Sequence, residues 1–204
     1  RLGERAIRLQ ADTFERLVLG QMHETLGAQP GDDPIEFYLQ VLADKTGSLI
    51  AAATQGGVIF SNAPSEYEEP LRVYGEKIGV AFQLLDDVID LSAKPEDTGK
   101  VPGTDLRAGV PTMPYLLLKA ETDDASIDLA ARIDDGVTRI AEGEDPGILD
   151  GPLTELRDHV GTQKTLALAH SWTRDAIDAL TALPRGTVRD ALTRFAETLV
   201  ERSS

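Results

Sequence analysis

The chain is predicted to be all-α, and three observations carry the prediction. Apolar residues recur at three- and four-residue spacing through nearly all of its 204 residues. Alternating, strand-like patterns are scarce, and glycine and proline gather in the breaks between periodic segments. Residues 4–26 read as an amphipathic helix, ended by Gly27-Ala28-Gln29-Pro30-Gly31. A second helix is expected from Pro34, at a favoured first-turn position, to Phe60. Its middle is small: Gly47, Ser48, Ala51, Ala52, Ala53, Gly56 and Gly57. Such a surface lets another helix approach closely, and the polar Lys45, Thr46 and Gln55 place it in a water-surrounded bundle rather than a membrane. Ser61-Asn62-Ala63-Pro64-Ser65 is a turn that starts a third helix, residues 65–92. Residues 93–110, rich in Gly, Lys and Asp, form a loop long enough to act as a lid. Helices follow at 111–122, 125–142, 152–182 (with a break near Gly161) and 186–202, with Gly143 to Gly151 as a Pro/Gly-rich connection. The sum is an antiparallel helical bundle, one domain over 1–204.

Composition limits the function. A net charge of −15 argues against nucleic acid or an anionic membrane surface as a general partner. The chain has no cysteine, which excludes disulfides, zinc fingers and thiol catalysis. No run of 18 apolar residues is present.

The stretch Gly79-Val80-Ala81-Phe82-Gln83-Leu84-Leu85-Asp86-Asp87-Val88-Ile89-Asp90-Leu91 is the most informative. On a helix, positions 83, 86, 87 and 90 fall towards one face, while Ile78, Phe82, Leu85 and Ile89 form a separate apolar stripe. Three crowded carboxylates repel one another, and a divalent cation relieves the repulsion. Carboxylates that leave room for water and phosphate oxygens suit Mg²⁺. The competing reading is a solvated acidic face. Carboxylates that interrupt a core-like segment favour the metal.

The flanking residues sharpen this. Upstream stands Asp44-Lys45-Thr46-Gly47-Ser48-Leu49; downstream stand Thr98-Gly99-Lys100-Val101-Pro102-Gly103-Thr104-Asp105-Leu106 and Gly109-Val110-Pro111-Thr112-Met113-Pro114. In this order, with Phe82-Gln83 and the aspartates between them, they resemble the trans-type isoprenyl (polyprenyl) diphosphate synthases. The resemblance extends from about residue 15 to the C-terminus and implies the isoprenoid-synthase type of bundle. It also implies a Mg²⁺-dependent condensation of isopentenyl diphosphate with an allylic diphosphate, a homodimer, and a cytoplasmic location.

By that resemblance Asp86 and Asp90, with Asp87 directly or through water, hold one Mg²⁺ against the allylic diphosphate. Lys45 and Thr46 are the candidate catalytic residues. Lys45 would meet the diphosphate as a point charge, and Thr46 would bring a hydroxyl near the reacting carbons. Gln83 would bond the diphosphate or orient a carboxylate, and Lys100 would swing over the bound diphosphate. The plainer alternatives are a surface lysine for Lys45 and for Lys100, back-bonding to the preceding turn for Thr46, and a core-edge amide for Gln83. Asp105 is read as a turn cap, Trp172 as core, Gly20-Gln21 as a packing position, and His23, His159 and His170 as surface or helix-end residues.

The sequence departs from the family pattern in one large respect. Relatives carry a first aspartate-rich motif well upstream of the Lys-Thr pair, and none stands here; Val110 also replaces a common Lys. With Arg1 as the first residue, the expectation is the C-terminal part of a longer protein, with little condensation activity by itself. The loop pattern leans towards bacterial medium- or long-chain synthases. A non-catalytic helical subunit of a heteromeric synthase is the alternative, and the three intact aspartates weigh against it. A terpene cyclase is set aside, because Asn62, Ser65 and Glu69 miss the required spacing and Pro64 interrupts them.

Overall fold

The computed structural model describes residues 3–92 and 102–201. Among these every regular element is helical. In chain order they are α1 (Gly3–Leu26), α2 (Pro34–Leu42), a π-helical segment (Ala43–Gly47), α3 (Ser48–Ser61), α4 (Glu68–Ser92), α5 (Thr104–Arg107), α6 (Met113–Lys119), α7 (Asp124–Ala141), α8 (Asp150–Asp158), α9 (Val160–Ala179) and α10 (Thr187–Glu201). Single 3₁₀ turns at Ser65–Tyr67, Pro146–Leu149 and Leu180–Ala182 lead into or out of these helices.

The local signals explain the boundaries. Asp33 caps α2, its Oδ1 accepting from the amides of Ile35 and Glu36 at 2.8 and 3.1 Å, with Pro34 in the first turn. Asn62 ends α3 in the left-handed conformation, φ 57°. Asp123 caps α7 through Ser126. The helix expected over 34–60 is interrupted by the π turn, and the loop expected over 93–110 contains α5. The break expected near Gly161 falls at His159, whose backbone is extended. Gly161 is helical instead: a Cβ there would lie 2.7 Å from the Pro114 carbonyl oxygen.

The chain forms two compact units, residues 1–83 with 169–204 and residues 84–168. The first has a core of Val58, Leu71, Tyr74, Ile78, Ala176, Leu180, Leu183 and Ala196. In it the small residues of α3 do what their size suggested. A Cβ on Gly79 would lie 2.5 Å from Gly47 Cα, and one on Gly75 would lie 2.6 Å from Ala51 Cα. The α3 and α4 backbones therefore touch, and the Thr54 hydroxyl donates across to the Leu71 carbonyl at 2.7 Å. Trp172, expected in the core, is only partly buried, with the Lys77 ammonium 4.7 Å from its ring centre.

The second unit packs around Leu91, Leu106, Tyr115, Leu118, Leu129, Ile133, Leu149, Leu153 and Leu156. A part-buried polar chain joins α7 to the α8–α9 corner. Gly161 N donates to His159 Nδ1 at 3.0 Å, and His159 Nε2 lies 3.0 Å from Ser126 Oγ, which is 2.6 Å from Asp123 Oδ2. With Nδ1 accepting, Nε2 carries the proton and faces the serine as a donor. This Ser–His contact is therefore built as a brace, with no base aimed at the hydroxyl.

Candidate diphosphate and metal site

The predicted site residues divide between the units. Lys45, Thr46 and Gln83 belong to the first, and Asp86, Asp87 and Asp90 to the second. Lys100 lies outside the described residues.

In the first unit, Lys45 and Thr46 stand in the π-helical segment. A π turn widens the helix by one residue and is a recurrent feature of functional sites. Two contacts frame it. Buried Gly20 lets α1 close on it, since a Cβ there would lie 2.9 Å from Asp44 Cβ and 3.1 Å from Lys45 N. Asp44, nearly buried, accepts from Arg16 Nε at 2.9 Å and Gln40 Nε2 at 2.8 Å. Arg16 also donates to Glu76 at 2.7 Å. Burial works against the Arg16 charge, yet the bonds to Glu76 and Asp44 outweigh it and raise its pKa above the ordinary arginine value. No local pattern signals this network, because its partners are 28 and 60 residues apart.

Lys45 is half-buried and ion-paired: its Nζ lies 2.5 Å from Glu24 Oε2, which also accepts from Gln21 Nε2 at 3.0 Å. The ammonium is thus held at a defined place by one carboxylate. Thr46 does not back-bond. Its hydroxyl makes no hydrogen bond with a described residue, whereas those of Thr13, Ser48 and Thr54 all donate to preceding carbonyls. Gln83 is half-buried, and its amide likewise has no partner among the described residues.

In the second unit the three aspartates lie within one arc of α4 but differ in exposure. Successive helical residues are about 100° apart, so Asp86 is exposed and Asp87 is buried, 5% accessible. Asp87 Oδ2 accepts from Met113 N at 2.9 Å. It serves the N-terminus of α6, a task that Thr112, at the cap position, leaves undone; Thr112 Oγ1 is itself buried without a partner among the described residues. The expected apolar stripe shifts too. Ile78 and Leu85 are buried, but Phe82 and Ile89 are 44% and 43% exposed, and Ala81, Leu84, Val88 and Leu91 complete the buried side.

Asp90 organises the start of α5. Its carbonyl accepts from Gly103 N at 3.0 Å, and its Oδ1 accepts from Thr104 N at 3.3 Å. Burial, with the charges of Asp105 and Asp86, pushes the Asp90 carboxyl above its ordinary pKa, against the amides of Thr104 and Asp105. Asp90 Oδ2 is buried and has no hydrogen-bond partner among the described residues. Asp105, expected as a cap, is in the first turn of α5 and is capped by Asp90.

These details bear on a metal. Among the described residues, no three acidic or histidine side chains converge in a way that could hold an ion. Asp86 and Asp90, one turn apart, remain. A buried, unpartnered carboxylate oxygen surrounded by negative charge fits a cation, and Mg²⁺ commonly takes one or two carboxylates and completes its shell with water and phosphate oxygens. The pair fits that ion as a two-carboxylate ligand set, while one oxygen of Asp87 is engaged at the start of α6.

Comparison with known proteins adds four findings. Residues 2–141 match the family described as polyprenyl synthetase. A nonaprenyl diphosphate synthase of Mycobacterium tuberculosis is 39% identical over 202 residues, 99% of this chain and 58% of that protein. A crystal structure of geranylgeranyl pyrophosphate synthase from Corynebacterium glutamicum, complexed with calcium and isoprenyl diphosphate, superposes with a TM-score of 0.85 at 35% identity. It covers 100% of this chain and 61% of that one. A decaprenyl diphosphate synthase from Rhodobacter capsulatus gives a TM-score of 0.80 at 29% identity, with the same coverage. The chain thus spans about three-fifths of the length of the relatives it matches.

Proposed function

The chain belongs to the polyprenyl synthetase family, and from that premise we propose that it serves a Mg²⁺-dependent prenyltransferase. The enzyme would condense isopentenyl diphosphate with an allylic diphosphate to give a longer polyprenyl diphosphate. The observation that carries the reading is Asp90, whose buried Oδ2 lacks a partner among the described residues beside exposed Asp86.

Asp86 and Asp90 would hold the magnesium, which supplies neutralisation of the charge that develops on departing pyrophosphate. The residues of the chain do the rest. Lys45 gives a positive point charge to the diphosphate, exchanging its bond to Glu24 for one to phosphate oxygen. Thr46 offers a hydroxyl, and Gln83 an amide, that no described residue engages. Asp87 keeps the start of α6 in place through one carboxylate oxygen, and would join the metal directly or through water. Lys100 is proposed to close over the diphosphate. The relative from Mycobacterium tuberculosis supports a long product, and the calcium in the Corynebacterium glutamicum structure supports a divalent cation.

A homodimer is part of the reading. Ile7, Phe14, Val18, Met22 and Leu26 form an exposed apolar stripe along α1 that supports it. A cytoplasmic location is also proposed; no helix of the described residues is long and apolar enough to cross a membrane.

The test is calorimetric titration of the 204-residue chain with geranyl diphosphate, with and without Mg²⁺. Binding is expected to require the metal, to be lost in Asp86→Asn and Asp90→Asn, and to weaken about tenfold in Lys45→Ala. Metal-independent binding that survives these changes would sink the reading. Little turnover is expected from a chain with a single aspartate-rich motif, and rapid condensation by it alone would contradict the need for a second.

A further inference from the structure

The first unit contains a cavity of about 800 Å³ that the proposed chemistry does not use. It lies among the second half of α3, the start of α4, and the segment from Leu183 into α10. Its size suits a small-molecule site. The walls are apolar, made by Ala53, Val58, Leu71, Leu183, Val188 and Leu192. The Thr54 hydroxyl already donates within the fold, so the interior offers little to a polar guest.

The charge of its lining is unusual for this protein. The chain carries 35 acidic against 20 basic residues, yet no carboxylate lines the cavity, and two arginines do. Most of the described lysines and arginines are ion-paired; Arg185 and Arg189, like Arg174 and Arg194, form no ion pair with a described residue. Arg189 Nη1 donates only to the Leu183 carbonyl, at 3.2 Å. Between them α10 begins after Gly186, which has no side chain to accept from the first amides of a 15-residue helix. Two guanidinium groups without a carboxylate partner among the described residues, beside apolar walls, select a guest with an anionic end and an apolar body.

We propose that this cavity binds a single-chain anionic amphiphile. Its hydrocarbon tail lies against Val58, Leu71 and Leu192, and its phosphate head lies at Arg185, Arg189 and the first amides of α10. A free amphiphile fits better than a peptide, whose backbone would bring polar groups that the walls leave unpaired. Gly57 provides a direct probe, because a Cβ built there meets nothing within 4 Å.

The experiment is calorimetric titration of the chain with dodecyl phosphate below its micelle concentration, with inorganic phosphate and dodecyl maltoside as controls. Saturable one-to-one binding of dodecyl phosphate alone is expected. Arg185→Gln, an exposed change, is expected to weaken it about threefold to tenfold. Gly57→Leu, whose side chain would fill the chamber, is expected to weaken it about tenfold or more while unfolding stays cooperative. Equal binding of dodecyl maltoside, binding of phosphate alone, or unchanged affinity in both variants would each overturn the proposal. So would a loss of self-association in Gly57→Leu by sedimentation, which would make a second copy of the chain the occupant.

Discussion

Asp86 and Asp87 are adjacent and chemically identical, yet the structure gives them opposite surroundings, and substitution should separate them. Asp87→Ala removes a carboxylate that is 5% exposed and accepts from Met113 N at 2.9 Å. A hydrogen bond to a charged group contributes about 1.5–3 kcal/mol, and the Met113 amide is left without an acceptor, because Thr112 does not cap α6. Adding the void left by the truncated side chain, the loss should be about 2–4 kcal/mol. For a chain of this size that lowers the melting temperature by about 4–16 °C. Asp87→Asn keeps an acceptor oxygen and loses only the charge at the helix N-terminus, about 1 kcal/mol. Asp86→Asn, at an exposed position, should change stability by less than about 0.5 kcal/mol. The assay is urea unfolding followed by far-ultraviolet circular dichroism, paired with Mg²⁺-dependent binding of geranyl diphosphate. Asp86→Asn should abolish that binding at wild-type stability, and Asp87→Asn should largely keep it. An Asp87→Ala protein as stable as wild type, or an Asp86→Asn protein less stable than it, would refute the division.

Three further outcomes follow from the packing. Gly79→Ala forces a Cβ to within 2.5 Å of Gly47 Cα, so α3 and α4 must separate; a loss of about 3 kcal/mol is expected in thermal melts. Arg16→Met leaves buried Asp44 with the Gln40 amide but no cation beside it and should cost about 2–3 kcal/mol, visible as a lower urea midpoint at constant slope. Burial pushes the Tyr74 phenol from 10.0 up to about 12, with its hydroxyl donating to the Leu192 carbonyl at 2.8 Å. Between those pH values the folded state keeps a proton that the unfolded chain has released, so stability falls as pH rises through the window. Tyr74→Phe should flatten that fall, and an unchanged slope in pH-dependent unfolding would count against it.

The sequence determined a good deal by itself. Helical periodicity, caps such as Asp33 and Asp123, and breaks at Gly27–Gly31 and Gly143–Gly151 are local signals. They depend on residues a few positions apart, so they can be read along the chain. The small residues of α3 foretold close backbone contact, since nothing but missing side-chain volume is required. The ordered set of Lys45-Thr46, Phe82-Gln83, Asp86-Asp87 and Asp90, and Gly109 to Pro114 identified the family for the same reason.

What tertiary structure alone decided is which way each side chain faces and what it meets. Helical spacing puts Asp86, Asp87 and Asp90 within one broad arc, but only the packing of α6 against α4 turns Asp87 inward and leaves Asp86 exposed. The π turn around Lys45 and Thr46 has no pattern of its own. In the folded unit it sits where α1, across Gly20, and the Arg16–Asp44–Glu76 network close upon it. The arginines at the cavity mouth look like any others in the sequence. The fold sets them beside an apolar cavity with no carboxylate partner among the described residues, and pairing across long stretches of chain is a property of the folded state.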